Sequence, residues 1–386
     1  MKIIHISDTH LGYTAYGAVN KESGIKQREI DVCEAFKQAI EKIIEISPDI
    51  VLHCGDLFDN VRPSNRILTF ALEQLLRLQS ANIPVVLIAG NHSMPRMRDV
   101  GSIFRIFELF PGLYPIYKGK YEKLSFNNLP GGGHGLTVHT IPHCLTKEDF
   151  DKNLKELKID QNDKYNVLML HAAAKGIKEF SMGEFNEQTV ETSYFKPEFD
   201  YIALGHYHKH TQLAENAYYS GSTERFSFNE AGQEKGFLEI DLSTKKTTFH
   251  SLKIRSMVEI KRIDAAGKDA DFIMERIEEA IMKNEIEGKI AKLEINGLSG
   301  PTYNVLDFKQ IKHLTSPALH FDIKYNRDGE NESVHPSEVM QNNMTNLPME
   351  FESYLEKTIV EKIDKKMILE MGKEYLKRAA IDDETG

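Results

Sequence analysis

Apolar residues follow two alternating patterns along roughly the first 250 residues of the chain. Short runs rich in β-branched residues, such as KIIHIS at residues 2–7, are typical of buried strands. Longer stretches have the helical period, and residues 28–47 carry apolar side chains at positions 30, 32, 33, 36, 39, 40, 43 and 44. Because strands and helices alternate, the pattern predicts an α/β fold in which sheet layers are flanked by helices.

The order of helix and strand repeats, and polar loops follow several predicted strands. Residues 67–81 form a second helical stripe, and IPVVLIAGNH at residues 83–92 predicts a strand that ends in a polar loop. Further strands are predicted in NVLMLH (166–171), FDYIALGH (199–206), NAYYSGS (216–222) and KGFLEIDL (235–242).

The pattern changes after residue 253. One succession of strand, helix and strand between residues 257 and 297 predicts a small α+β domain with its own sheet. A polar, Asn-rich stretch then predicts a linker, after which the helical period returns; this last segment either packs on the rest of the chain or binds a partner as a helical hairpin. The predicted units are a main domain at 1–253, a small domain at 254–325, a linker at 326–345 and a helical segment at 346–386.

Composition narrows the possible classes of function. The 48 basic and 58 acidic residues give a net charge of −10, which argues against a broad basic surface for non-specific nucleic-acid binding. Bound metal ions can still attract phosphate to an acidic protein. Three scattered cysteines do not make a disulfide framework, and no apolar run approaches the length of a membrane span. We therefore expect a cytoplasmic protein without a membrane segment.

Metal-binding residue types come directly after four of these strands and after a fifth, predicted in PDIVLHCGD at residues 48–56. Along an extended strand residues i and i+2 face the same side, so we expect the pairs in DTH and GHYH to point into one site. The carboxyl ends of strands in a layered α/β fold line one crevice. The predicted ligands are Asp8, His10, Asp56, Asn91, His171, His206 and His208.

The number of these ligands indicates two ions. Seven donors exceed the four that one tetrahedral zinc accepts, and a set without thiolate suits hard or borderline divalent cations. Asp56 falls between the two groups of ligands along the chain and is expected to bridge the ions. Two such cations can clamp a phosphate and activate a water, so the sequence predicts metal-assisted hydrolysis of phosphoesters.

These residues also carry a resemblance to a known family. DTH, GDLFD, GNH, the single His171 and GHYH, in this order, resemble the five motifs of the calcineurin-like metallophosphoesterases. Within that superfamily, three longer stretches are similar to DNA double-strand-break repair nucleases of the SbcD type, the meiotic recombination eleven family. They are HISDTHLGY, GDLFDNVRPS and YYSGSTERFSFNE. The resemblance covers about the first 250 residues, and extends more loosely to a small capping domain and a helical C-terminal extension.

The resemblance implies a metal set, a β-sandwich flanked by helices, and partners. It implies two Mn²⁺ ions, with other divalent ions as alternatives, and His92 as an uncoordinated imidazole that faces the substrate and protonates the leaving oxygen. It further implies a homodimer and docking of the helical segment on an SMC-like coiled-coil ATPase. Apolar helices predicted near residues 66–79 and 100–110 either supply the dimer interface or pack on the sheet. Asp8, His10 and His208 would hold one ion, Asn91, His171 and His206 the other, and Asp56 would bridge them.

The support of His92 departs from the commonest superfamily pattern. Many members have an acidic residue after GNH, where this chain has Ser93. The better candidate for an orienting carboxylate is Asp59 of GDLFD. From the sequence, Asp59 either orients His92, contacts DNA or anchors its own loop.

Three classes of function are compatible with these residues. The leading hypothesis is a manganese-dependent DNA nuclease, with exonuclease and single-strand endonuclease activity, that works in break repair with the ATPase. The alternative is a small-substrate phosphatase or cyclic phosphodiesterase, which needs neither a capping domain nor a partner-binding tail. A purely structural scaffold is disfavoured because every ligand position and His92 hold competent residues.

Overall fold

A computed structural model provides the structure of the chain. It describes residues 1–93, 101–130, 132–159, 164–175 and 187–327, together with residues 366, 367 and 369–372. The elements below are those of the described residues and are numbered in chain order.

The first sheet has six strands. Four adjacent strands, which reach one edge of the sheet, are parallel, and the other two add antiparallel pairings at the opposite edge. The strands are β1 (Lys2–Ile6), β2 (Ile50–His53), β3 (Val85–Ile88), β4 (Leu113–Ile116), β13 (Gly236–Asp241) and β14 (Lys246–Ser251). Their spatial order is β14-β13-β1-β2-β3-β4.

The second sheet also has six strands and a parallel centre. They are β5 (Glu122–Phe126), β6 (Leu136–Ile141), β7 (Tyr165–His171), β10 (Tyr201–Gly205), β11 (Thr211–Ala214) and β12 (Ala217–Tyr219). Their order is β11-β12-β10-β7-β6-β5, with antiparallel pairings only at the two edges. Between β7 and β10 along the chain, β8 (Ala173–Ala174) and β9 (Thr189–Val190) form a separate two-stranded parallel sheet.

Helices cover the outer faces of the two sheets. They are α1 (Gln27–Ile46), α2 (Asn65–Ser80) and α3 (Lys147–Glu156). Helix α1 buries Val32, Phe36, Ile40 and Ile43, the helical stripe expected from the sequence. Helix α2 begins after Ser64, whose hydroxyl oxygen accepts a hydrogen bond from the main-chain N–H of Ile67. The predicted helices and strands of this region are confirmed.

Three apolar layers separate the elements of this main domain. One lies between α1, α2 and the first sheet, a second lies between the two sheets, and a third lies between the second sheet and α3. In the middle layer Leu52 and Ile88 of the first sheet belong to one cluster with Val167 and Met169 of the second. The architecture is therefore a β-sandwich flanked by helices, as predicted.

A smaller unit follows with its own sheet and core. It contains β15 (Met257–Asp264), α4 (Ala270–Asn284), β16 (Ile290–Leu298), α5 (Gly300–Asn304), α6 (Phe308–Thr315) and β17 (His320–Arg327). All three strands are parallel, with β16 in the centre, so helices connect consecutive strands. Its last strand ends at Arg327, two residues past the predicted boundary at 325.

The two units are joined by polar and aromatic contacts. The Arg255 guanidinium binds the Asp31 carboxylate of α1, with Nε 2.6 Å from Oδ2, and also donates to the carbonyl oxygen of Gly288 at 2.7 Å. The ring of Tyr16 stacks on His320, with centroids 4.5 Å apart. The domain boundaries themselves stay predictions.

Several predicted features lie wholly or mostly outside the described residues. The linker at 326–345 overlaps them only at the end of β17. The helical segment at 346–386 overlaps them only at 366, 367 and 369–372, which are helical. In the candidate interface region at 100–110, residues Ile103–Leu109 form a 3-10 helix, and Leu109 is 75% exposed. No helix in the described part of the chain is long and apolar enough to cross a membrane.

Candidate metal centre

The predicted ligands lie at the carboxyl ends of parallel strands in both sheets. Strand β7 ends at His171, and β10 ends at Gly205, directly before His206. The first sheet contributes the loops after β1, β2 and β3. Since the sheets face each other across a shared core, the five loops meet at one edge of the sandwich. The structure brings all seven predicted ligands to this edge, and six of them are buried: Asp8, His10, Asp56, His171, His206 and His208.

The backbone at the centre differs from the extended strand predicted for the ligand pairs. We expected Asp8 with His10, and His206 with His208, to share a face of an extended strand. Strand β1 instead ends at Ile6, and Asp8 and His10 have φ angles of 51° and 43°. The φ angles of Asp56 (49°) and His206 (97°) are also positive. The pairs therefore converge through left-handed loop backbone, a strained conformation that side-chain and main-chain contacts must hold in place.

One group of predicted ligands lies close to the carboxyl end of β1. Ligand atoms of Asp8, His10 and His208 all lie within 4.8 Å of one another. The Nε2 atoms of His10 and His208 are 3.3 Å apart, too close for two protonated nitrogens but suitable for two donors to one cation. The Asp8 carboxylate is fully buried and accepts hydrogen bonds from the Ser7 hydroxyl at 2.6 Å and the His206 main-chain N–H at 3.0 Å.

A second group lies on the other side of Asp56. The Nε2 atom of His171 is 3.1 Å from Asp56 Oδ2 and 2.9 Å from Asn91 Oδ1. The Nδ1 atom of the same ring is 2.9 Å from the Cys54 carbonyl oxygen, so the ring is held with Nε2 toward the centre. Asp56 Oδ2 is also 4.0 Å from His10 Nε2. The Asp56 carboxylate therefore lies between the two groups, the position predicted for a bridging ligand.

Two glycines leave room for this packing. A Cβ atom on Gly90, in the GNH motif, would collide with the Asp56 carboxylate. A Cβ atom on Gly205, in the GHYH motif, would collide with the Cys54 carbonyl oxygen that holds His171. The glycine of each motif is thus required by close approach to a ligand or to its support.

The donor set fits divalent cations. Two buried carboxylates, an amide oxygen and four imidazoles are the ligands that such ions take in proteins, and no thiolate is among them. Burial alone raises the pKa of the Asp56 carboxyl, but the imidazoles of His171, His10 and His92 hold that pKa well below its ordinary range. Asp56 is therefore an anion, as a bridging ligand must be.

His92 follows Asn91 at the edge of the centre and is partly buried. Its main-chain N–H donates to Asp56 Oδ1 at 3.0 Å, and its Nδ1 atom is 2.8 Å from the main-chain carbonyl oxygen of Asp59. The carboxylate of Asp59 contacts a different ring, with Oδ1 3.3 Å from His10 Nδ1. The Asp59 backbone thus contacts His92, and its carboxylate contacts His10. Side-chain atoms of Asp59, His10 and His92 all lie within 4.8 Å of one another, so a role of Asp59 in orienting His92 stays a prediction.

Two further carboxylates at the centre were missed by sequence reasoning. Glu187 Oε1 is 2.7 Å from Nε2 of His206, and Glu230 Oε1 is 3.1 Å from Nδ1 of His208. Burial by itself raises the pKa of Glu230, but His208 and the Lys235 ammonium lower it to about 2. Glu230 is the last residue of the YYSGSTERFSFNE stretch, which was a usable signal; nothing in the sequence around Glu187 distinguishes it.

Two buried histidines outside the predicted ligand set have structural surroundings. His5 is fully buried, with Nδ1 2.9 Å from the Tyr201 hydroxyl and Nε2 3.1 Å from the Leu204 carbonyl oxygen. His53 is buried beside the Thr9 hydroxyl. Burial lowers the pKa of both rings, to about 3 for His5 and about 4 for His53. They are neutral core histidines in apolar strands.

Comparison with known proteins agrees with this geometry. Residues 1–210 match the family model described as calcineurin-like phosphoesterase. The chain is 32% identical over 306 residues to the "DNA double-strand break repair protein Mre11" of Methanocaldococcus jannaschii, a match that covers 76% of this chain and 77% of that protein. The chain belongs to the Mre11 family of calcineurin-like phosphoesterases.

Other Mre11 relatives give the same result. The chain is 34% identical over 254 residues to the protein of that name from Methanococcus maripaludis, covering 63% of each chain. It is 28% identical over 308 residues to that of Thermoplasma acidophilum, covering 76% of each. The match thus spans less than two thirds of the Methanococcus maripaludis protein. It spans about three quarters of the Methanocaldococcus jannaschii and Thermoplasma acidophilum proteins. Calcineurin-like phosphoesterases use a dinuclear metal site, and the described residues supply candidate ligand groups for one.

Proposed function

We propose that this chain is a two-metal phosphodiesterase that cleaves DNA in double-strand break repair, with exonuclease and single-strand endonuclease activity. The observation that carries the proposal is the convergence of buried donors around Asp56, with His10 Nε2 at 4.0 Å on one side and His171 Nε2 at 3.1 Å on the other. Relatives that match up to 77% of their length are named as DNA double-strand break repair proteins, which supports DNA as the substrate.

The proposed metals are two Mn²⁺ ions, one on each side of Asp56. When bound, the two ions would clamp a phosphodiester and lower the pKa of a water so that hydroxide forms near neutral pH. Their positive charge also offsets the net charge of −10 where the DNA backbone must bind. The first ion would be held by Asp8, His10 and His208. The second ion would be held by Asn91, His171 and His206, and Asp56 would bind both ions.

His92 is the proposed general acid. The Asp59 carbonyl oxygen accepts the Nδ1–H of its ring, so Nε2 is the atom that can give a proton to the leaving oxygen of the sugar. The neighbouring His10 ring packs edge to face against His92 with centroids 4.8 Å apart, which further restricts its orientation. His92 thus has a fixed tautomer without an acidic residue at position 93.

A comparison of substrates tests this proposal. Purified protein with Mn²⁺ would be given labelled duplex, hairpin and single-stranded DNA, and in parallel nucleotides and a chromogenic phosphodiester. We expect DNA cleavage that disappears on chelation and in Asp56→Asn, which also controls for contaminating nucleases. Turnover of only the small substrates would replace the proposal by a phosphatase or cyclic phosphodiesterase. No turnover at all would favour a scaffold.

The proposed partners are DNA, a second copy of this chain and an SMC-like coiled-coil ATPase. The ATPase contact is assigned to the helical segment from residue 346, as the family resemblance implies. The proposed location is the cytoplasm, in association with the nucleoid if the protein is prokaryotic. Removal of residues 346–386 should abolish co-purification with the ATPase and leave Mn²⁺-dependent cleavage of single strands intact. Retained co-purification would contradict the assignment.

A further inference from the structure

We propose that Glu187 and Glu230 are positioning residues that support the two metal ions separately. The inference rests on the two-metal centre of the proposed function and extends it beyond the ligands themselves. Each carboxylate binds one ring of the GHYH motif on a single nitrogen, at 2.7 Å for Glu187 with His206 and 3.1 Å for Glu230 with His208. A carboxylate on one nitrogen fixes the tautomer and directs the other nitrogen to a metal.

The two carboxylates bind opposite ring nitrogens. Glu187 contacts Nε2 of His206, which leaves Nδ1 as the donor to the second ion. Glu230 contacts Nδ1 of His208, which leaves Nε2, the atom that lies 3.3 Å from His10 Nε2 in the first group. The two histidines are only two residues apart, so this choice lets one short loop present donors to two different ions.

Both pairs are shielded from water, which strengthens them. The side chains of Glu187 and Glu230 are 12% and 6% exposed, and those of His206 and His208 are 3% and 10% exposed. At such positions a hydrogen bond between a carboxylate and an imidazole is stronger than the same pair at the surface. The Asp59 carboxylate makes a third contact of this kind, with His10.

Glu230 is supported by a buried cation. The Lys235 ammonium is 2.5 Å from Glu230 Oε2 and donates to the His208 carbonyl oxygen at 2.7 Å. Lys235 is 1% exposed, so it fixes both the carboxylate and the main chain of the same ligand. Glu187 is the simpler position to test, because removing Glu230 alone would leave the Lys235 charge buried and unpaired.

The test measures binding of Mn²⁺ to chelator-treated, full-length protein by isothermal titration calorimetry. We expect Glu187→Ala to weaken one of two binding events by about 10–100-fold, and Glu187→Gln, which keeps an acceptor oxygen, to weaken it less. The paired change Glu230→Gln with Lys235→Met avoids an unpaired charge and should weaken the other event. Nuclease activity of each variant should fall at limiting Mn²⁺ and recover at saturating Mn²⁺.

Glu239→Gln is the matched control. Glu239 Oε2 binds Nε2 of His250 at 2.8 Å, the same kind of pair on a histidine that is not a predicted ligand. This variant should keep both Mn²⁺ affinities. Unchanged affinities in folded Glu187→Ala, or equal weakening of both events by each variant, would overturn the inference. Because binding is measured without DNA, a wild type that binds two Mn²⁺ ions and cleaves no DNA would refute only the proposed function.

Discussion

The metal centre and the small C-terminal domain differ in backbone conformation and in the polarity of their buried side chains. In the small domain, parallel strands alternate with helices that begin at side-chain caps, such as Asp269 before α4, and the core is purely apolar. At the metal centre, four predicted ligands have positive φ angles and buried polar groups replace apolar packing. In the small domain, the conformational preferences of the residues agree with the folded structure. At the metal centre they conflict with it, and such conflict concentrates at functional sites.

This difference implies that stability and activity are located in different parts of the chain. The strained loops of the centre are held by hydrogen bonds between motifs, such as the main-chain N–H of His10 to the Asp56 carbonyl oxygen at 3.0 Å. The small domain depends on burial of residues such as Ile277, which is 0% exposed. Substitutions in the centre should therefore change chemistry more than folding, and substitutions in the small domain the reverse.

The largest expected effect is on catalysis at the edge of the centre. His92→Ser should reduce the rate of DNA cleavage by about 10²–10⁴-fold, the contribution of a positioned general acid. Mn²⁺ content and thermal stability should stay those of the wild type, because His92 is not a predicted ligand. Cleavage rates and metal analysis of the purified variant measure this, with the exposed His134→Ser as control. Loss of bound metal would contradict the assigned role.

The next effect tests the small domain. Ile277→Ala removes a fully buried side chain from the core between α4 and the sheet, and should destabilise the protein by about 2–5 kcal/mol. Mn²⁺ affinity should not change, since the centre lies on the other sheets. Denaturant unfolding and calorimetry provide both values. Glu275→Ala, at an exposed position of the same helix, is the control, and a change of Mn²⁺ affinity in Ile277→Ala would break the separation of roles.

Substitution of one glycine in each region compares the metal centre with the small domain through a single added methyl group. Gly90→Ala places a Cβ against the Asp56 carboxylate and should cost about 1–3 kcal/mol of stability as overpacking. Gly267, before α4, has a φ of 66° and open space around it, so Gly267→Ala should cost about 1–2 kcal/mol through backbone strain alone. Only Gly90→Ala should also weaken Mn²⁺ binding. Equal Mn²⁺ affinities in the two variants would show that Asp56 tolerates displacement.

Periodicity predicted more of the fold than of the site. The stripe in residues 28–47 and the run IPVVLIAGNH correspond to α1 and β3, because burial of apolar faces leaves a periodic signal. The convergence of the ligands could be expected from their positions after strands. Their left-handed backbone could not, since an aspartate or histidine in that conformation has no periodic signature.

The supports of the ligands were the least predictable part. Glu187 reaches His206 across 19 residues, and the Asp59 carbonyl oxygen reaches His92 across 33. Such contacts depend on how loops fold back, which one sequence does not encode locally. The Asp59 carbonyl oxygen that contacts His92 is a backbone atom, whose position no residue type reveals.

The smallest effect is the pH dependence of metal binding, and it separates the centre from the rest of the fold. Burial lowers the pKa of His171, but the Asp56 and Asp8 carboxylates outweigh burial and raise it to about 9. The protonated ring therefore stabilises the metal-free protein below its unfolded pKa of about 6.5, and this contribution is lost as the pH rises through about 9. A metal ion needs the neutral ring, so binding should release about one proton between these values.

Calorimetry in buffers of different ionisation enthalpy counts that proton, and melting curves in chelator between pH 6.5 and 9 give the slope of stability. The metal-free protein should melt at lower temperature as the pH rises, while Mn²⁺ affinity should increase over the same range. His171→Asn should lose both trends, because its amide does not titrate. A metal-free protein whose stability is independent of pH in this window would mean that His171 is already neutral, and that Asp56 is balanced by the other imidazoles around it.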